Sequence, residues 1–124
     1  MSLFRCPLCA SPLERGERTY RCPRGHSFDR AREGYVHLLP ANQKHAREPG
    51  DDKAMAAARS RFLDGGWYAP LREALCHLAL ASAPEAPAVL DAGCGEGFYT
   101  AGVFQALQAG RGDVRMAGVD LSRP

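Results

Sequence analysis

The sequence has no apolar run approaching the length of a membrane span, and no apolar stretch follows its opening Met1-Ser2-Leu3-Phe4-Arg5. Neither a spanning helix nor a secretory leader is expected. Without an oxidising compartment there is no reason to pair the five cysteines as disulfides, so a cytoplasmic chain with reduced thiols is the expectation. Internal repeats and low-complexity tracts are also missing, and a repeat array is not expected. Nor is there a large charge excess, since 124 residues carry a formal net charge of +2. The charge is uneven: residues 1–50 hold nine Lys/Arg against five Asp/Glu, giving +4, and residues 51–124 hold seven against nine, giving −2. A basic segment beside a mildly acidic one suits contact with a polyanion through the first half, or a solvated face with no partner.

What is present begins with Cys6-Pro7-Leu8-Cys9 and, after twelve residues, Cys22-Pro23-Arg24-Gly25-His26. Two short-spaced ligand pairs at the ends of a hairpin-length loop can close tetrahedrally around one zinc ion. Three thiolates with one imidazole leave no open coordination position, so Cys6, Cys9, Cys22 and His26 are expected to hold a structural Zn2+. A segment of about 30 to 40 residues buries too little apolar area to offset its chain entropy. The metal, worth about 10–16 kcal/mol in small zinc peptides, is expected to supply most of the folding free energy there. Residues 3–28 read as a zinc ribbon with a turn at Glu14–Glu17 and an extended Arg18–Arg21, Tyr20 and Phe28 packing beside the metal. Tyr35, Val36, Leu38 and Leu39 then read as a short strand or turn docking onto the ribbon, ended by Pro40.

Residues 41–50 have no periodicity and several breakers, and read as a linker or as a loop that orders on binding. Asp51 or Asp52 is expected to cap a helix running to Asp64, with Met55, Ala58 and Phe62 on one stripe and Gly65-Gly66 as its stop. Pro70 opens a second helix on which Leu71, Leu75 and Leu78 recur at helical spacing; Cys76, among them, reads as a small apolar residue. Ala88–Asp91 is expected as a short buried strand, 98–109 as an amphipathic helix, and Arg115–Asp120 as a second strand. Strand, glycine loop, helix and strand make one β-α-β unit of a doubly wound α/β sheet.

Asp91-Ala92-Gly93-Cys94-Gly95-Glu96-Gly97 lies where the first of these strands meets its helix. Alternate glycines let the backbone turn sharply and approach a ligand closely. A dinucleotide fingerprint reads G-x-G-x-x-G and seats a pyrophosphate; this loop reads G-x-G-x-G and carries Glu96, which would repel one. A cationic, phosphate-free ligand fits better, an ordinary strand-to-helix turn being the alternative.

The loop Asp91–Gly97 resembles the first motif of class I S-adenosylmethionine-dependent methyltransferases. The resemblance implies that Asp91, Gly93, Gly95, Glu96 and Gly97 lie against the methionine and ribose parts of S-adenosyl-L-methionine, and that Asp120 accepts from the ribose hydroxyls. A carboxylate suits a vicinal diol, although Asp120 could instead cap a following helix. Together with the ribbon, the runs Phe28-Asp29, Glu33-Gly34-Tyr35-Val36, Leu38-Leu39-Pro40, Pro49-Gly50-Asp51, Phe62-Leu63-Asp64, Tyr68 and Val89-Leu90-Asp91 closely resemble the ribosomal RNA large-subunit (guanine-N1)-methyltransferase family over the whole chain. That implies a zinc domain at 1–40 recognising a 23S rRNA hairpin, a linker at 41–50, and at 51–124 the first part of a Rossmann-like methyltransferase domain. It also adds Tyr68 as a cofactor contact, with aromatic packing at a helix start as its other reading.

The resemblance further implies that the chain is truncated, the adenine clasp, target pocket and any base lying beyond Pro124, and that this polypeptide alone has no turnover and weak cofactor affinity. No catalytic residue can be assigned; His37 and His45 read as surface or RNA-facing. A 23S rRNA hairpin is the implied partner, a homodimer is left open, and no membrane contact is expected. A zinc-ribbon adaptor without catalysis and a small-molecule methyltransferase remain as alternatives.

Overall fold

The structure, a computed structural model, describes residues 2–40, 50 and 52–122. The chain divides into two compact units, Met1–Arg47 and Glu48–Pro124. Residues 41–49, most of the expected linker, and His45 among them, lie outside the described residues.

The first unit is built on three short antiparallel strands in the order β1 (Glu14–Arg15), β2 (Thr19–Arg21) and β3 (Ser27–Asp29). Glu14 and Arg15, expected in a turn, are strand residues paired with Arg21 and Tyr20. The chain reverses at Gly16 instead, whose amide donates to the Thr19 carbonyl at 2.7 Å. A side chain on Gly16 would start 2.9 Å from that carbonyl oxygen, so the tightest point of the turn falls on the glycine. Tyr20 pairs with Phe28 across β2 and β3 and joins Cys6, Leu13 and Cys22 in the buried core, with Phe4, Phe28, Val36 and Leu38 packed around them. Phe4 meets Tyr20 edge-on with ring centroids 5.9 Å apart. After β3 the chain doubles back, Ala31 N donating to Tyr35 O at 2.8 Å and His37 N to Asp29 O at 3.3 Å, which brings Val36 and Leu38 onto the core.

The second unit contains α1 (Lys53–Asp64), α2 (Ala69–Ser82), β4 (Ala88–Ala92), α3 (Phe98–Arg111) and β5 (Arg115–Val119), with β4 and β5 parallel in the register Ala88↔Arg115 to Ala92↔Val119. The molecule is thus mixed α/β, a ribbon followed by helices and one β-α-β unit. Asp52 caps α1, its Oδ1 accepting from Met55 N at 2.8 Å. The inward stripe of α1 is Ala56, Ser60 and Leu63, while the expected Met55, Ala58 and Phe62 are exposed. Periodicity could not choose between these faces, because Met55–Ala58 and Phe62-Leu63 offer apolar residues to both.

The same holds for α2, where Arg72, Cys76, Ala79 and Leu80 are half-buried while Leu71, Leu75 and Leu78 are exposed. Glycines on α3 explain this choice of face. A Cβ on Gly110 would stand 2.6 Å from Leu80 Cδ2, and one on Gly102 would meet the Arg72 side chain, so residues eight apart on each helix match in the same order and α2 and α3 run parallel in close contact. Arg111 secures the far end, donating to Leu80 O at 2.8 Å. β4, expected to be buried, alternates: Val89 and Asp91 are half-buried and Leu90 is 65% exposed. A two-stranded sheet packed on one face produces that alternation.

Candidate zinc centre and glycine-loop site

Two chain reversals build the first site. In the first knuckle Cys6 N donates to Ser11 O and Ala10 N to Cys6 O, both at 2.8 Å; in the second, Cys22 N donates to His26 O and Gly25 N to Cys22 O, both at 3.0 Å. Each reversal needs one left-handed residue, Ala10 (φ 59°) and Gly25 (φ 87°). The structure brings Cys6, Cys9, Cys22 and His26 together with all four ligand atoms within 4.8 Å of one another. His26 Nδ1 lies 3.5 Å from Cys6 Sγ and 3.4 Å from Cys22 Sγ, and Cys9 Sγ lies 3.7 Å from Cys22 Sγ. Donors placed about 2.0–2.3 Å from a common centre at tetrahedral angles stand about 3.3–3.8 Å apart. The spacing is therefore that of edges of a zinc tetrahedron, and the donor set fits the metal. No sulphur–sulphur bond competes, since all five cysteines are free.

The polar surroundings suit thiolate ligands. The Ser11 hydroxyl, 3.3 Å from Cys9 Sγ, and the Ser11 amide hold the Cys9 thiol down to about 6. Burial pushes the Cys6 thiol up, against the amides of Leu8 and Cys9 that donate to its sulphur. Ser11 was not foreseen, because a serine two residues beyond a cysteine has no distinguishing pattern.

The second site lies at the carboxyl edge of β4 and β5. Gly93 N and Cys94 N both donate to Val119 O, at 2.7 and 3.1 Å, binding the glycine loop to the end of the neighbouring strand. Gly93, Gly95 and Gly97 adopt φ of 77°, 58° and 90°, and the space where side chains on Gly93 and Gly95 would project is open to at least 4 Å. Gly97 begins α3, its carbonyl accepting from Ala101 N at 2.8 Å. Asp120 is drawn into this loop: Gly95 N donates to its Oδ2 at 2.8 Å and Ser122 N to its Oδ1 at 2.7 Å. The amides of Ser122 and Gly95 hold the Asp120 carboxyl below its ordinary value, so it is ionised and fixed in orientation while exposed. Asp91 is engaged differently, its Oδ2 accepting from Thr100 Oγ1 at 2.5 Å, which ties the strand to the first turn of α3.

Gly93, Gly95, Gly97, Asp91 and Asp120 are thus brought to one edge, with Glu96 exposed on the loop between them. Tyr68 is placed elsewhere in character: it precedes α2 and meets Phe62 edge-on at 5.5 Å. Cys94 turns inward; its Sγ would stand 2.8 Å from a Cβ on Gly118, and burial, followed by the charges of Asp91 and Asp120, pushes its thiol up. A cavity of about 540 Å³ between the sheet and α2 and α3 is lined by Leu75, Leu78, Val89, Tyr99 and Met116, but its walls omit Gly95, Gly97 and Asp120. Asp91, Gly93 and Cys94 also line it, so this largely apolar space reaches the start of the glycine loop. The open cradle over the glycines with a fixed two-oxygen acceptor beside it fits a nucleoside carrying a vicinal diol.

Comparison with known proteins places both halves. Residues 4–47 match the zinc-ribbon family described as "RlmA, N-terminal". Over 98% of its length the chain is 43% identical to the 23S rRNA (guanine(748)-N(1))-methyltransferase of Streptomyces fradiae. Over the same share it is 37% identical to a protein of Micromonospora griseorubida and 36% identical to one of Bacillus subtilis strain 168, both named provisionally as 23S rRNA (guanine-N1)-methyltransferases. It spans 41%, 45% and 43% of the lengths of these three relatives. The chain is thus similar over nearly its whole length to proteins named large-subunit rRNA (guanine-N1)-methyltransferases, and it spans less than half the length of each of these relatives. No helix among the described residues is long and apolar enough to cross a membrane.

Proposed function

We propose that this chain is the zinc-ribbon and cofactor-loop portion of a cytoplasmic enzyme that methylates N1 of a guanine in 23S rRNA with S-adenosyl-L-methionine. Residues 1–40 form the RNA-recognition domain on a zinc ion held by Cys6, Cys9, Cys22 and His26, residues 41–50 the linker, and residues 51–124 the first part of the methyltransferase domain. The observation that carries this reading is the Asp120 carboxylate fixed by the Gly95 and Ser122 amides beside an open glycine loop. When bound, the cofactor supplies an electrophilic methyl group on a positively charged sulphur. Asp120 holds the ribose diol, and the backbone at Gly93, Gly95 and Gly97 lies against the nucleoside without side chains in the way. Asp91, Glu96 and Asp120 together make the loop acidic and favour a cationic ligand over a pyrophosphate. Tyr68 completes the cofactor contacts. The ribbon carries the target RNA, and position does most of the catalytic work because in-line methyl transfer needs no metal. N1 of a paired guanine is hidden, so the ribbon's partner is a hairpin whose target base can leave the stack.

Titration of the 15N-labelled chain with S-adenosylhomocysteine tests the cofactor reading: amides of Gly93–Gly97 and Asp120 are expected to shift, weakly, and NAD+ to shift none. An Asp120→Asn variant should lose about tenfold or more in affinity, one charge-assisted hydrogen bond being worth that much. The chain alone is expected to transfer no methyl group to 23S rRNA. A nicotinamide nucleotide occupying the loop would overturn the reading. An adaptor without catalysis would bind RNA in a chelator-sensitive way and ignore the nucleoside.

A further inference from the structure

Arg72 lies in the first turn of α2, four residues after Tyr68. Its guanidinium stacks over the ring of Phe98, with Cζ 4.9 Å from the centroid, and Phe98 is the residue that follows Gly97 of the glycine loop. The side chain is seated in a notch of α3: a Cβ on Gly102 would meet Nε, and would stand 2.9 Å from Cζ and 3.1 Å from Cγ. Arg72 Nε is shut off from solvent and has no hydrogen-bond partner. Among the described residues no carboxylate pairs with this guanidinium.

Seating the guanidinium this way leaves one buried N–H without an acceptor, a cost that the aromatic face only partly offsets. Nε is closed off in the Gly102 notch, so the two terminal nitrogens, which are not buried, are the donors left to meet an anion from outside. Charge balance at the loop says which one. Asp91, Glu96 and Asp120 complement the positive sulphur, the ammonium and the diol of the ligand, but would repel its one anionic group, the carboxylate of the amino-acid end. Arg72 is the cation held against the residue where the loop becomes α3, and its planar fork matches a carboxylate with two parallel hydrogen bonds.

We propose that Arg72 binds the α-carboxylate of the cofactor's amino-acid end, with Gly102 and Phe98 holding the guanidinium ready. This rests on the S-adenosylmethionine reading given above. It makes the site selective for nucleosides that carry an amino acid over those that stop at the thioether.

The test compares two ligands on the 124-residue chain by ligand-observed NMR, S-adenosylhomocysteine and methylthioadenosine, which share the nucleoside and the sulphur but not the amino-acid end. The unsubstituted chain is expected to prefer S-adenosylhomocysteine. Arg72→Gln, which keeps a stem in the Gly102 notch, and Arg72→Ala are expected to lose about 10- to 100-fold in affinity for S-adenosylhomocysteine while methylthioadenosine affinity stays within about twofold. Arg72→Lys should recover part of the preference. Gly102→Ala, which displaces the guanidinium from α3, should show the same selective loss. An equal loss for both ligands would make Arg72 a support for Phe98 and overturn the proposal, as would no loss at all. If the unsubstituted chain binds neither ligand, the cofactor reading itself falls and takes this inference with it.

Discussion

Ala10 occupies a left-handed backbone position (φ 59°) that its counterpart in the second knuckle fills with Gly25 (φ 87°). An L side chain pays about 1–2 kcal/mol there, less the extra chain entropy that glycine loses on folding. Ala10→Gly is therefore expected to stabilise the zinc-loaded ribbon by about 1 kcal/mol, read as a higher chelator concentration at half-loss of metal. Asp120 supplies a second residue-level expectation. The Ser122 and Gly95 amides set its folded pKa below the ordinary 3.8, so its contribution to stability is present above that value and lost as pH falls through the folded pKa. A carbon-detected NMR titration should place the Asp120 midpoint below 3.8, and Ser122→Pro, which removes one donor, should raise it. The ligand residues of the zinc site and the glycines of the loop were legible in the sequence because each type is tied to one chemistry and the spacing is short. Ser11, Thr100 and Arg72 were not, because their roles depend on where α3 and the first knuckle carry them.

The boundaries of the first two helices followed from caps and breakers, Asp52, Gly65 and Pro70 among them, and those of all the helices lie within a few residues of the expected ones. Which face of α1 and α2 turned inward did not follow, since both helices carry apolar residues on adjacent stripes and the deciding features, Gly102 and Gly110, sit on a different helix. The β4–β5 pair depends on a similar fit. Gly118 faces Cys94 so closely that an added Cβ would stand 2.8 Å from Sγ and 3.0 Å from Cβ. Gly118→Ala is expected to destabilise the second unit by about 1–3 kcal/mol through overpacking, measured by urea unfolding. Adding Cys94→Gly should restore most of the loss, and strict additivity of the two changes would show that the contact does not matter.

At the scale of the molecule the two units differ in what holds them. The first has a compact core of Cys6, Leu13, Tyr20 and Cys22 built around the metal ligands. Chelation, or Cys22→Ser, is expected to collapse the amide dispersion of residues 2–40 in a 15N spectrum, because the core side chains and the ligands are partly the same residues. In the second unit Leu63 and Leu107 are the buried large apolar residues among those described, while Leu78, Leu90 and Trp67 are 63%, 65% and 76% exposed. So much uncovered apolar surface should bind a hydrophobic dye strongly at neutral pH, and a chain that leaves the dye dark would contradict the exposure of the β4 face.

Gly50, three residues before α1, and Ser122, two residues after Asp120, lie close together: a side chain on Gly50 would begin 2.7 Å from Ser122 N and 2.8 Å from Ser122 Cα. That contact joins segments far apart along the polymer, whereas Cys6, Cys9, Cys22 and His26 are neighbours in sequence. Closing distant segments is slow and closing near ones is fast. The metal knot is therefore expected to tighten before the contact that aims the acidic acceptor at position 120 can close.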